Sequence, residues 1–88
     1  MKIFSAQIRA ARGLSQMSQV ELAANAGISL QTIKNLEKDD KLLSKASSIT
    51  IEKIKEALEN KGVRFTISKE DGKISEVGVK LAITLVGK

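Results

Sequence analysis

Eighty-eight residues, 42% apolar and 28% charged, suit one globular domain with little room for an internal active site. The absence of Cys and His removes zinc fingers, disulfide frameworks, thiol nucleophiles and imidazole acid–base chemistry together. A net charge of +5 suits an anionic partner, and with Phe4 and Phe65 as the only aromatic residues that partner is expected to be a duplex, not a stacked single strand.

Apolar spacing is helical from about Ser5 to Lys61 and alternates from Val63 to Val86, which predicts a mainly α protein of four to five helices followed by a β-hairpin. A helical domain over residues 1–62 and a hairpin over 63–88 are the expected units. "MKIF" is too short for a signal-peptide core, and "VGVKLAITLVG" is broken by Lys80 and falls short of the ~20 residues of a membrane helix. A soluble cytoplasmic protein with no membrane partner is expected.

The first helix is predicted from Ser5, as N-cap, to about Arg12, with Phe4, Ile8 and Ala11 inward and Gly13 as its stop. "SQVE" at Ser18 to Glu21 is a capping box that opens a second helix, whose apolar positions are Val20, Leu22, Ala23 and Ala26. Gly27 ends it, in the left-handed conformation that glycine adopts at little cost. Ser29 then caps a third helix carrying Leu30, Ile33 and Leu36. Two short helices joined around Gly27 form a helix-turn-helix, and Ala23 is small because the third helix crosses it closely. With Ile28, Ile33 and Leu36 inward, the outer side of that helix shows Gln31, Lys34, Asn35 and Lys38, all hydrogen-bond donors. Gln31 and Asn35 lie four apart on one face, and their amides can pair with adenine in a major groove.

Asp39 to Ser47 reads as a loop or one helical turn, with Leu42 and Leu43 as anchors. A long helix follows from near Ser48 to Lys61, with the stripe Ile51, Ile54, Ala57 and Leu58, an outer Lys55–Glu59 pair and Gly62 as its stop. Its Glu52, Glu56 and Glu59 alternate with lysines, which marks a solvated face and not a metal or acid–base site. The hairpin places Val63, Phe65 and Ile67 on one strand, the Asp71-Gly72 turn between, and Val77, Val79, Leu81, Ile83 and Leu85 along one face of the second strand; Gly78 is read as a bulge. A lone hairpin is marginal and leaves an open edge, so Val79, Leu81, Ile83 and Leu85 are the expected dimer contacts.

Gln19, Ala23, Gly27, Ile33, Leu36 and Glu37, spaced Gln-x3-Ala-x3-Gly-x5-Ile-x3-Glu, resemble the helix-turn-helix of the Cro/CI (Xre-type) transcriptional regulators, which include lambdoid phage repressors. Flanking "QIRAARGLSQMSQVELA" and "IKEALENKGVRF" look like a bacterial subgroup, so the likeness spans about Ser5 to Phe65 and is loose beyond. It implies a lambda-repressor-like fold and double-stranded DNA as partner. By position it implies that Gln19 binds a phosphate and braces the third helix, that Leu30, Gln31 and Asn35 read bases, and that Thr32 and Lys34 touch backbone or flanking bases. Arg12 and Glu37 fall on a pair that in relatives is a partly buried ion pair. Two positions depart from the pattern. Leu30 stands where a glutamine is frequent and offers only apolar contact, and Gln16 stands where a glycine usually precedes the second helix.

The expected DNA-binding set is Arg9, Gln19, Ser29, Leu30, Gln31, Thr32, Lys34, Asn35 and Lys38, with Lys41 and Lys2 as further phosphate candidates. No cofactor, metal site, phosphate loop or nucleophile elbow is expected, and the chain is read as a non-enzyme. The predicted function is a repressor that binds an inverted-repeat operator as a dimer. The alternative is an antitoxin-type interaction module whose hairpin neutralises a toxin and which represses its own operon.

Overall fold

The computed structural model describes residues 2–82. Five helices, α1 (Ser5–Ser15), α2 (Gln19–Ala26), α3 (Leu30–Lys38), α4 (Asp40–Lys45) and α5 (Ser48–Glu59), lead into an antiparallel hairpin of β1 (Val63–Glu70) and β2 (Lys73–Leu81). Ile8 of α1, Leu22 of α2, Ile33 of α3, Ile54 and Leu58 of α5 and Val63 of β1 are the largest fully buried side chains. Every long helix and the first strand thus contribute to one core, and burying their apolar faces there holds the elements together. Among the described residues no helix is long and apolar enough to cross a membrane.

The first helix differs from its expected outline at both ends. Phe4, not Ser5, is the N-cap residue, and the Gln7 carboxamide oxygen accepts the Phe4 N–H at 2.8 Å. Ser5 is buried: its hydroxyl donates to the Leu36 carbonyl at 2.5 Å, and its N–H is accepted by Asp40 Oδ1 at 2.7 Å. A residue read as a local cap is therefore a long-range tie between α1, α3 and α4. Gly13 does not stop the helix; it lies inside it with open space around it. The stop comes at Gln16, which takes the left-handed conformation (φ 56°) while its N–H closes on the Arg12 and Gly13 carbonyls. Side chains with a Cβ pay for that conformation, so Gln16→Gly is expected to raise stability, by about 1 kcal/mol or less, in a denaturant titration.

Four further expectations change. Val20 is 61% exposed and supports no core. Of the two proposed anchors, Leu43 is buried and Leu42 is exposed, because α4 is a true helix that can turn only one of two adjacent side chains inward. On α5, Lys55 pairs back to Glu52 (3.8 Å) instead of reaching forward to Glu59. In the hairpin the bulge lies at Ser75 and not at Gly78: Ser68 faces Glu76 while Lys69 faces Ile74, so Ser75 is left over. Gly78 stays in register opposite Thr66, where a Cβ would sit 3.0 Å from the Thr66 hydroxyl.

Two joints position the hairpin. Gly62 adopts φ 93°, and a Cβ there would meet the Ala82 carbonyl at 2.8 Å, while its own carbonyl accepts the Ala82 N–H at 2.6 Å. Gln7, 2% exposed, donates from its amide nitrogen to the Gly78 carbonyl (2.8 Å) and the Thr66 carbonyl (3.1 Å), tying α1 across both strands. Asp71 and Gly72 both have positive φ, as a two-residue type I′ turn requires. The register sets Val63 against Leu81, Phe65 against Val79 and Ile67 against Val77. Phe65 and Val79 pack on the helical core, whereas Ile74, Val77 and Leu81 are left 37–40% exposed.

Candidate nucleic-acid interface

The turn between α2 and α3 is built from local rules. Ser18 Oγ accepts the Glu21 N–H at 3.0 Å and Glu21 Oε1 accepts the Ser18 N–H at 2.8 Å, closing the capping box at the start of α2. The Ser18 N–H, and next its hydroxyl, hold the Glu21 carboxyl below its ordinary pKa. Gly27 ends α2 at φ 71°, and the Ile28 N–H reaches back to the Ala23 carbonyl at 3.0 Å. Ser29 starts α3 by accepting the Thr32 N–H at 3.1 Å, and its hydroxyl donates to Thr32 Oγ1 at 2.8 Å. Three residues from one helix to the next thus redirect the chain with each end capped.

The inner side of α3 is fixed by Ile33, Leu36 and Glu37, all buried. Glu37 is the hub: its carboxylate accepts Arg12 Nε at 2.5 Å, Arg12 Nη2 at 2.9 Å and Gln19 Nε2 at 3.2 Å. The forked contact raises the Arg12 pKa, mainly through the Glu37 hydrogen bond and further by charge attraction, with partial burial opposing. Arg12 Nη1 also donates to the Met17 carbonyl (3.1 Å), and Arg9 Nη1 donates to the Glu37 carbonyl. Helices α1 and α2 therefore both grip the C-terminal end of α3.

The outer side of α3 is open. Gln31, Lys34, Asn35 and Lys38 are exposed, and Gln31 Nε2 donates to Asn35 Oδ1 at 3.0 Å. Ser29 is exposed, Thr32 is half-buried, and Leu30 is half-buried against the core, so only part of its side chain faces outward. Lys41 is exposed on α4, and the Lys2 ammonium lies 5.2 Å from the centre of the Phe4 ring. Of the dimer candidates, Val79 is half-buried on the protein's own core and Leu81 is exposed, while Ile83 and Leu85 lie outside the described residues.

A capped pair of short helices, with the second locked inside and polar outside, now stands beside one comparison. The family model HTH_3, described as helix-turn-helix, matches residues 6–61. The chain belongs to the Cro/CI-type (Xre) helix-turn-helix family. That match runs from α1 through α5 and stops just before Gly62, leaving the hairpin outside it. No curated protein matches the chain. Membership in a family of DNA-binding regulators makes the chain a DNA-binding regulator in general, in a family not typically enzymatic.

The structural roles of Gln7, Ser5 and Asp40 carry no signal in the sequence, where Ser5 reads as a local cap. Each makes its decisive bond to a residue at least 31 positions away, and no local spacing signals that.

Proposed function

We propose that the protein is a sequence-specific transcriptional repressor that binds an inverted-repeat operator in double-stranded DNA as a dimer. The observation that carries this reading is the two-sidedness of α3: one side immobilised by Ile33, Leu36 and the Glu37 hub, the other presenting Gln31, Lys34, Asn35 and Lys38 to solvent. An α-helix fits a major groove, and amides on its outer side match base edges there. Gln31 and Asn35 are the base readers. Leu30 offers its outward part to a thymine methyl, and Ser29 and Thr32 bring hydroxyls to the first turn. Lys34, Lys38 and Lys41 neutralise phosphates. Gln19 braces α3 through Glu37 and keeps a second amide N–H for a phosphate, and Arg9 likewise keeps further N–H groups beyond the one held by the Glu37 carbonyl.

One recognition helix spans few base pairs, so two copies set about 34 Å apart in successive grooves give specificity that one cannot. The hairpin is the proposed dimer element. Ile74, Val77 and Leu81 leave apolar surface uncovered along β2, and among the described residues the two-stranded sheet has open edges. Val79 serves this by holding the hairpin on its own helices, and Ile83 and Leu85 extend the same alternation.

Selection of bound sequences from a random duplex pool at stated salt tests the reading, with an enriched inverted repeat as the expected result. Sedimentation is expected to show a dimer at micromolar concentration. A monomer at high micromolar concentration counts against dimerisation, and capture of a different protein by the hairpin would favour the antitoxin-type reading. Lys34→Ala is expected to weaken all sequences about equally and to lower the salt-dependence slope by about one, measured by titrations at several salt concentrations.

A further inference from the structure

The two amides on the open side of α3 are not independent. Gln31 Nε2 donates to Asn35 Oδ1 at 3.0 Å across one helical turn, and both side chains are otherwise exposed. A carboxamide nitrogen carries two N–H groups, so this bond uses one and leaves Gln31 with one N–H and its Oε1. One donor beside one acceptor on a planar amide complements adenine, whose N7 accepts and whose N6 amino group donates. Guanine presents two acceptors at N7 and O6, and offers Oε1 no donor. The residue preceding the pair, Leu30, has no polar group with which to compete for Gln31.

We propose that Asn35 is a positioning residue that acts on DNA through Gln31: it holds the Gln31 amide in its adenine-matching orientation, so the two side chains read one A·T base pair as a unit. A glutamine has three side-chain torsions to order on binding, and a partner that already restrains them removes part of that cost. Asn35 keeps both of its own N–H groups for acceptors nearby. The proposal rests on the duplex-binding reading above and specifies how the bases are read.

The test uses the full chain, its Gln31→Ala, Asn35→Ala and Asn35→Asp variants, and a random duplex pool, followed by affinities for the enriched site and its single-base variants. The readout is the ratio of affinities for A·T over each other pair at every position, and melting temperatures verify that each variant folds. The parent is expected to select adenine at one position per half-site where Gln31→Ala lowers the preference about 5- to 150-fold, the range for a bidentate contact. Asn35→Ala is expected to lower the preference at that same position about 2- to 12-fold, the worth of one neutral hydrogen bond. Asn35→Asp keeps the accepting oxygen but adds a charge, so it is expected to weaken every sequence while preserving that ratio. The coupled pair is overturned if Asn35→Ala leaves the preference at the Gln31 position intact, if guanine is enriched there, or if Asn35→Asp loses the ratio as fully as Asn35→Ala. No enriched sequence at all overturns the operator reading itself and the coupled pair with it.

Discussion

Glu37→Ala is expected to lower stability by about 3 kcal/mol while leaving the ranking of DNA sequences unchanged. The Glu37 side chain is 4% exposed and holds Arg12 by two hydrogen bonds and Gln19 by a third. Removing it strands a guanidinium that is only partly in water, with the Met17 carbonyl left as its acceptor. The figure is placed at the low end of the range for a broken buried pair because the Arg12 side chain remains 23% exposed and can recover some hydration. For a domain of this size the loss corresponds to a fall in Tm of about 12–24 °C. Equal melting temperatures for mutant and parent would refute the assignment. The apolar double variant Arg12→Met, Glu37→Leu leaves no charge to strand, and is expected to be more stable than Glu37→Ala. The raised Arg12 pKa sets the sign of the pH dependence. Its contribution is complete below the ordinary guanidinium value and is lost only as pH climbs through the raised one, so titration to about pH 10 should leave the pair intact.

The second large effect is expected at Gln7. Gln7→Leu keeps the bulk of a buried side chain but leaves the Phe4 N–H without its acceptor and withdraws a donor from the Thr66 and Gly78 carbonyls. A loss of about 2–4 kcal/mol follows from the desolvation of these groups. Amide exchange should report it unevenly, with β1 and β2 opening sooner than the α2–α3 unit, because Gln7 ties the hairpin and not α3. Gln7→Glu gives the sharper readout. Its carboxylate can accept from Phe4 but faces two carbonyl oxygens, so the folded protein favours the protonated acid and raises that group's pKa. The stability it contributes is then present below the ordinary carboxyl value and lost as pH rises through the raised one. Compared with the parent at each pH, Gln7→Glu is expected to be least stable near neutrality and to recover on acidification. A penalty independent of pH would remove the carbonyl pair as its cause.

Much of the candidate site was legible in the sequence because its construction is local. The Ser18 box, the Gly27 stop and the Ser29 cap act over three or four residues, and the alternation of Ile33 and Leu36 with Gln31, Lys34 and Asn35 displays the two sides of α3 directly. The Asp71-Gly72 turn was readable for the same reason. The misreadings share the opposite cause. Gly13 looked like a stop because glycine is a poor helix former, yet α1 continues two residues further, and Gln16 closes it in the conformation glycine would have taken more cheaply. Ser5 looked like a cap because serine usually is one. It was committed elsewhere, to a carbonyl on another helix.

Taken alone, the amino-acid order determined the helix-turn-helix, its polar outer side and the presence of a hairpin, since capping, periodicity and turn chemistry are energies between near neighbours. Only the tertiary structure decided which polar groups would be hidden: Glu37 as the hub for Arg12 and Gln19, Gln7 across the two strands, Ser5 on the Leu36 carbonyl. A buried polar group must find its partner wherever the packed chain brings one, and that choice depends on distances set by the whole core.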